Sequence, residues 1–390
     1  MGSQQPAQCP GKRCQIETCI AEQLHREIVS FDRYGKKTVA LEFPDPKIPI
    51  YVNEFWTARQ RAGHSLHEIS YRACFKPELP RFFITRLTGE NDLVYDPFMG
   101  RGTTIIEAAL LHRVPAGCDI NPLSRLLTRP RLDPPESAEV ETRLQAIELT
   151  GPRDIREDLL VFYHPETLRE LTNLQQYLLG REAQGTADRV DSWIRMVATN
   201  RLTGHSAGFF SVYTMPPNQA VSVDAQLKIN ERRGQIPPRK EIKALIMRKS
   251  RSLLRKLDKK ETAQLRALSP ESRLLTASAD STPEIREDTV KLVVTSPPFL
   301  DVVNYQRDNW LRCWFNGIDA ESVDIWQLRR PEDWQKKMTA VLGELNRILV
   351  PGGFVAFEVG EVRGGSVFLE TLAVPAAIAA GLIPEAVIVN

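Results

Sequence analysis

The chain has little cysteine, no long apolar run and almost no net charge, and each shortage excludes something. Six cysteines in 390 residues cannot make the disulfide framework of a small secreted scaffold. Cys9, Cys14 and Cys19 are evenly spaced, yet no C-x-x-C pair occurs. Zinc sites usually carry tighter pairs with matching Cys or His elsewhere, so the reading is a tail with free thiols and no metal. No apolar stretch approaches the ~20 residues that span a bilayer. Met1 to Cys19 also lacks the apolar core of a signal peptide. The expected location is the cytoplasm, with no membrane partner.

The net charge of +2 hides an uneven distribution. Between Ala225 and Lys260 thirteen Lys or Arg stand against three acids. An excess of that size suggests a polyanion partner; the plain alternative is a solvated helix face. Hydrophobic residues make up 42%, ordinary for a globular chain. The length allows one large α/β domain or two smaller ones.

Residues 1 to about 45 read as a loosely organised lead-in, punctuated by Pro44, Pro46 and Pro49. A helix is predicted through Pro77 to Leu87, with Pro near its first turn. A strand over Leu93–Tyr95, a helix over Thr103–Leu111 and a strand over Val114–Ile120 follow. That order begins a doubly wound parallel sheet. From about Arg125 to Ser269 the pattern turns helical (Ser137–Leu149, Glu166–Gly180, Ala187–Leu202, Arg239–Leu257). Gly204 to Val223, rich in aromatics, Gly and Pro, interrupts it. Strands return at Leu274–Ala279 and Lys291–Thr295. A helix over Trp334–Leu349 stops at Pro351-Gly352-Gly353. A strand over Phe354–Val359, a helix over Leu369–Ala380 and a strand over Glu385–Val389 close the chain. One α/β domain is thus split by a helical insertion far longer than an ordinary crossover.

Three motifs carry chemistry. Asp96-Pro97-Phe98-Met99-Gly100-Arg101-Gly102-Thr103-Thr104 follows a strand and opens a helix. Its glycines let the backbone approach a ligand, and the helix start offers free N–H groups. It is neither the G-x-G-x-x-G of dinucleotide enzymes nor a P-loop, for no Lys follows the glycines. Gly117-Cys118-Asp119 ends the second strand with an acid, where doubly wound folds bind ribose hydroxyls; a helix cap is the bland alternative. Thr295-Ser296-Pro297-Pro298-Phe299 ends an apolar strand, at the sheet edge that carries active sites. Two prolines stiffen it. The Ser296 hydroxyl and the Pro297 carbonyl are acceptors for an NH2 group, and Phe299 offers a flat face to a base.

Asp-Pro-Phe-x-Gly-x-Gly-Thr-Thr followed by Thr-Ser-Pro-Pro-Phe resembles the amino-group DNA methyltransferases, which modify N4 of cytosine or N6 of adenine. The resemblance covers roughly residues 71–125 and 272–390. It implies a Rossmann-like methyltransferase sheet interrupted by a mainly helical insertion. It also implies S-adenosylmethionine as cofactor and double-stranded DNA as partner. By position, Asp96, Phe98, Gly100, Gly102 and Thr103 would serve the cofactor's methionine end and Asp119 its ribose. Asp280 would serve its adenine, and Phe75 and Lys76 would begin the helix that closes over it. Ser296, Pro297, Pro298 and Phe299 would be the catalytic loop, acting on a base flipped from the duplex, with Phe299 or Tyr305 stacking on it. No cysteine lies in a Pro-Cys loop of the kind that cytosine-C5 enzymes use. Ser at the loop's first position resembles the cytosine-N4 branch; Asp or Asn is more usual of the adenine-N6 branch.

The domain reading that follows is a lead-in over 1–70, a methyltransferase domain over 71–125 and 270–390, and a target-recognition insertion over 126–269. In the insertion Arg239, Lys240, Arg248 and Lys249 are placed at phosphates. His205, Tyr213 and Asn218 are placed near bases. Phe209, Phe210 and Tyr213 serve equally as anchors of the loop to the core. The resemblance extends to a bacterial, nucleoid-associated setting with a cognate restriction endonuclease. Competing readings are an RNA base methyltransferase and a non-catalytic nucleic-acid-binding module. The strand count stops at six: either an early segment substitutes for the seventh or the sheet lacks it, and the expectation is a sheet without its closing strand, destabilised for it.

Overall fold

The computed structural model describes residues 11–44, 46–56, 63–72, 74–151, 154–216, 219–300 and 305–390. Helix α1 (Gly11–Val29) leads to strands β1 (Val39–Glu42) and β2 (Pro49–Val52). Then come α2 (Glu78–Leu87), β3 (Leu93–Asp96), α3 (Thr103–Leu110) and β4 (Val114–Asp119). Seven helices follow: α4 (Pro122–Leu132), α5 (Ser137–Ala146), α6 (Pro165–Ala183), α7 (Arg189–Arg201), α8 (Val223–Arg233), α9 (Ile242–Leu254) and α10 (Lys259–Leu268). The α/β alternation resumes with β5 (Arg273–Thr276), β6 (Val290–Thr295), α11 (Tyr305–Phe315), α12 (Pro331–Ile348) and β7 (Leu349–Phe357). The short pair β8 (Glu361–Val362) and β9 (Val367–Phe368), α13 (Glu370–Ala379) and β10 (Val387–Val389) complete the order.

The main sheet has five strands in the order β5-β4-β3-β6-β7, every neighbouring pair parallel. The architecture is α/β and Rossmann-like, as the motifs implied. The chain winds outward from β3 through β4 to β5, then restarts at β6 on the other side of β3. A crevice opens at that reversal, at the carboxyl ends of β3 and β6. Parallel strands are covered on both faces and so read as continuous apolar runs: Leu292, Val293 and Val294 of β6 are fully buried. All of α4 to α10 lies in the crossover from β4 to β5. These helices share one core with α3, built on Ile105, Ile106, Leu127, Trp193 and Ile246. The indole N–H of Trp193 donates to the Ser250 hydroxyl at 3.0 Å.

Three expectations need correction. The lead-in is structured: β1 and β2 pair antiparallel, and Ile28, Tyr51, Phe55 and Phe82 form a small core beneath them. The sixth strand does not join the main sheet. Val387–Val389 pairs parallel with β2, and the Asn390 side-chain oxygen accepts from the N–H groups of Phe55 and Trp56, each at 2.8 Å. Hydrophobic alternation identifies a strand but not its partner, and the β2 partners lie 337 residues earlier (Val387 against Ile50), where periodicity is silent. Finally, β7 begins at Leu349 rather than after the Pro-Gly-Gly turn. Its register against β6 shifts between Val290 and Leu292, so Pro351 and Gly352 sit in an irregular stretch that a strand tolerates.

Candidate functional site

The first wall of the crevice is the turn after β3. Asp96 is 1% exposed. One carboxylate oxygen accepts from the Thr295 hydroxyl at 2.6 Å and from the Phe98 N–H at 3.0 Å. The other oxygen, Oδ2, is buried with no hydrogen-bond partner among the described residues. Burial pushes this carboxyl up to about 7 against the restraint of those donors. Gly100 and Gly102 have φ of +48° and +74°, which favours glycine. A Cβ on Gly102 would lie 2.4 Å from the Thr128 hydroxyl, so α3 and α4 leave no room for a side chain there.

The second strand's acid completes this wall. Asp119 accepts from the Gly100 N–H at 2.9 Å and from the Asn121 N–H at 2.8 Å, and burial raises its pKa. Asn121 in turn caps α4, accepting from the Leu123 N–H at 3.1 Å. Arg101, between the two glycines, donates to the carbonyls of His67, Ile69 and Phe75. That clamp holds the segment before α2 against the turn and brings Tyr71 to the crevice.

The opposite wall is the loop after β6. Thr295 is in register with Phe357 of β7, and the Glu358 N–H donates to the Thr295 carbonyl at 2.8 Å. Ser296 and Glu358 therefore leave the ends of adjacent strands side by side. Burial raises the Glu358 carboxyl, and a hydrogen bond from Ser296 restrains the rise. The Pro298 carbonyl accepts from the Trp334 indole at 2.9 Å, which pins the two prolines to α12. The Phe299 ring lies 3.4 Å from where a Cβ on Gly360 would stand.

Between the walls is a cleft of about 670 Å³, counted with its open mouth. Phe98, Gly100, Asp119, Ile120 and Asn121 line one side; Ser278 and Ala279 lie at the end of β5; Ser296 and Pro298 line the other side. Tyr71, Pro97, Ile325 and Trp326 complete it. Trp326 meets the Phe98 ring edge-on at 6.0 Å between centroids, and the Lys337 ammonium sits 4.2 Å from its ring centre. Ligand clefts have mostly apolar walls and a few convergent polar groups, as this one does.

The structure thus gathers Phe98, Gly100, Asp119, Ser296 and Pro298 around one cleft, with Asp96 bonded behind them to the Phe98 N–H. Gly102 and Thr103 lie beneath, Thr103 accepting from Arg101 at 3.2 Å. Pro297 is buried in the loop. Asp280 stands off the cleft lining, ion-paired to Lys337 and bonded to Ser278. Phe75 packs with Leu79 and Ile84 instead of lining the cleft, and Lys76 is likewise outside the lining. Phe299 packs into the core beneath Gly360. Tyr305 opens α11, but its side chain, like Cys9 and Asn218, lies outside the described residues. Tyr71, Trp326 and Glu358 were missed by sequence reasoning. Tyr71 and Trp326 sit in irregular segments with no motif around them, and Glu358 had only its place after an apolar strand as a signal.

The basic stretch is less free than its composition implied. Arg239 is exposed but ion-paired with Glu166 and Glu170. Arg251 pairs with Glu141 and Arg255 with Glu68. Lys240 is held through its backbone, its N–H donating to the Thr167 hydroxyl at 2.8 Å. Phe209 and Phe210 are buried, so they anchor the loop. Tyr213 carries the Arg233 guanidinium over its ring at 3.9 Å. His205 is exposed beside Phe209. Arg248 and Lys249 enter no ion pair with a carboxylate among the described residues. No helix among those residues is long and apolar enough to cross a membrane.

Comparison with known proteins agrees with the motifs. Residues 33–124 match the N6/N4 methyltransferase family model, described as DNA methylase. The match includes β1 and β2. The chain is 26% identical over 299 residues to the Type II methyltransferase M.BsoBI of Geobacillus stearothermophilus, covering 67% of this chain and 54% of that protein. It is 30% identical over 149 residues to the Type II methyltransferase M.MvaI of Kocuria varians, covering 37% of this chain and 29% of that protein. A 74-residue match at 32% identity joins it to the Type II methyltransferase M.MjaII of Methanocaldococcus jannaschii, 19% of this chain and 14% of that protein. The chain spans about half the length of these curated relatives, or less.

Proposed function

We propose that this chain, a member of the amino-group DNA methyltransferase family, methylates an exocyclic amine of a base in double-stranded DNA, with cytosine N4 as its target. The observation that carries the reading is one cleft lined by both the glycine turn (Phe98, Gly100) and the Ser-Pro-Pro loop (Ser296, Pro298). The relatives' names as Type II methyltransferases support the same class and a cognate restriction endonuclease as partner. The helical insertion over 126–269 is the proposed DNA-facing region.

The residues present fit S-adenosylmethionine. Asp96 keeps a buried oxygen without a partner, which suits an ammonium group at the methionine end. Asp119 lines the cleft with oxygens that suit ribose hydroxyls. Ile120 and Trp326 give apolar faces for an adenine; Asp280, paired to Lys337, is a second support behind them. When bound, the cofactor supplies an activated methyl on a sulfonium.

The chain's own residues then act on the amine. An exocyclic amine is a weak nucleophile because its lone pair is delocalised into the ring. Ser296 Oγ and the Pro297 carbonyl accept its two N–H groups and so favour a pyramidal nitrogen. A serine hydroxyl accepts best when its own proton is committed elsewhere, and Ser296 has Glu358 for that. Forming the N–CH3 bond leaves nitrogen with a proton to lose. Ser296 offers the path and Glu358, its carboxyl already raised by burial, the resting place. Positioning by the two stiff prolines supplies the rest. Serine, with no charge of its own, makes this arrangement neutral at the amine except through Glu358.

The test is transfer of labelled methyl from S-adenosylmethionine to unmethylated duplex DNA, followed by nucleoside mass analysis. N4-methylcytosine is the expected product. N6-methyladenine would overturn the target and keep the mechanism. Label in RNA and none in DNA would overturn the substrate class.

A further inference from the structure

Several arginines of the insertion pair with carboxylates, whereas Arg201, Arg248 and Lys249, which form no such pair among the described residues, gather at one place. Arg201 ends α7. Its Nε and Nη2 donate to the Asn200 carbonyl and side-chain oxygen at 3.2 and 2.8 Å, and its guanidinium carbon sits over the Phe209 ring, 4.0 Å from the centroid. These contacts fix the group and leave Nη1 pointing at Gly208. A Cβ on Gly208 would lie 3.8 Å from Arg201 Nη1, 3.6 Å from Arg248 Nη2 and 3.7 Å from the Ser206 hydroxyl. Two guanidiniums and a hydroxyl therefore surround a gap where a side chain is missing. Lys249 follows Arg248 on α9. The charges of Arg248 and Arg312 act on Arg201; those of Arg201 and Arg255 lower Lys249, and that of Glu68, itself paired with Arg255, raises it.

We infer that this notch at Gly208 is a phosphodiester-binding site, formed by Arg201, Arg248 and Ser206 with Lys249 beside it. Like charges held this close repel, and no carboxylate among the described residues pairs with Arg201, Arg248 or Lys249. Burial lowers Arg201 to about 10 and Lys249 to about 8; a bound anion relieves that cost. A planar guanidinium fixed on a ring is a preorganised donor for phosphate oxygens. The position is also apt. Arg312 stacks on Tyr71 at 5.6 Å, and the Ser70 carbonyl accepts from both Asn200 and Arg312. The notch is thus one layer of side chains from the Tyr71 wall of the cleft. A phosphate held there would place the backbone of a nucleic acid beside the cleft mouth. This inference rests on the proposed function for the identity of the polymer, but the notch itself does not.

Gly208 allows a test in which binding and stability move in opposite directions. It does not have positive φ, and the neighbours of its Cβ position are at ordinary contact distance. Gly208→Asp therefore puts a carboxylate into the notch without strain. The expected result is a melting temperature unchanged or raised, with duplex affinity reduced at least tenfold. Gly208→Ala is the control and should change affinity much less. Arg248→Gln, at an exposed position, should weaken binding several-fold and flatten the dependence of log K on log salt by about 1, the release of one phosphate's counterions. Affinity is read by fluorescence anisotropy of a labelled duplex across a salt series, with S-adenosylmethionine binding by calorimetry in parallel. Unchanged affinity and salt slope in both Gly208→Asp and Arg248→Gln would overturn the notch, whatever the enzyme does. Competition by inorganic phosphate at micromolar levels would overturn the polymer and assign a free-phosphate site. A wild-type chain that binds RNA alone, with the same loss in both variants, would support the notch while sinking the proposed DNA substrate.

Discussion

Replacing Asp96 with Asn separates the cost of an acid from its use. The Asp96 carboxyl rises to about 7 through burial, against about 3.9 in an unfolded chain. Its folded pKa is raised, so the folded state holds more protons than the unfolded state in that window. Stability without cofactor therefore falls as pH climbs from about 4 to about 7 and is then level. The full cost of the ionised acid is about 4 kcal/mol by this linkage. About half of it, ~2 kcal/mol, develops between pH 5.5 and pH 8. At roughly 2.1 cal/mol/K of unfolding entropy per residue, a 390-residue chain turns 2 kcal/mol into a Tm change of about 2–3 °C. Asp96→Asn keeps the shape and cannot ionise. The expected outcome is a variant that melts higher than wild type at pH 8, the difference shrinking by about 2–3 °C at pH 5.5. Scanning calorimetry without cofactor measures this, and the comparison cancels the other raised acids, Asp119 and Glu358. Cofactor affinity should move oppositely: the wild type weakens about tenfold from pH 8 to pH 6 as the carboxylate protonates, while Asp96→Asn is weak at both. A variant less stable than wild type at pH 8 would refute the reasoning, since the ionised acid would then be well solvated or partnered.

The other predictions concern single contacts. Glu358→Gln should lower kcat by about a hundredfold and leave S-adenosylmethionine affinity unchanged; its pH–rate profile should lose the acidic limb, which in wild type lies above the ordinary carboxylate range. A purely structural Glu358 would shift Tm and leave the profile's shape intact. Gly102→Ala meets the Thr128 hydroxyl at 2.4 Å from a residue at φ +74° and should cost about 2 kcal/mol or more in thermal stability; a neutral result would mean that α4 can retreat from the turn. Trp326→Ala should weaken cofactor binding about tenfold and abolish a fluorescence change on titration, and equal affinity in the variant would remove Trp326 from the site.

Much of the candidate cleft was legible because chemistry and short-range geometry coincide within it. The turn from Asp96 to Thr104 needs glycines where φ is positive or a neighbour intrudes, and both are visible as letters. The Ser296 loop follows an apolar strand, so its place at a strand's carboxyl end could be read from periodicity. Asp119 followed from spacing after the first turn. The residues whose surroundings differ from the expected ones share another cause. Asp280 has the right position in a strand-end pattern, but Lys337 from α12 takes its carboxylate. Arg239 has the composition of a phosphate contact, but Glu166 and Glu170 of α6 neutralise it. Charge on a sequence is counted singly, and its partners arrive from elsewhere in the fold.

The sequence by itself determined the α/β class, the order of the strands that carry the motifs, the length of the helical insertion and the chemistry of the two walls. These depend on φ preferences, on periods of 2 and 3.6 residues and on residue types at fixed short offsets. Only the tertiary structure decided that β10 joins β2 rather than the main sheet. It alone decided that Glu358 stands beside Ser296, that Tyr71 and Trp326 close the cleft, and that Arg201 and Arg248 meet across Gly208. Each of those contacts joins segments through packing, and neither propensity nor spacing encodes a neighbour that arrives from another element.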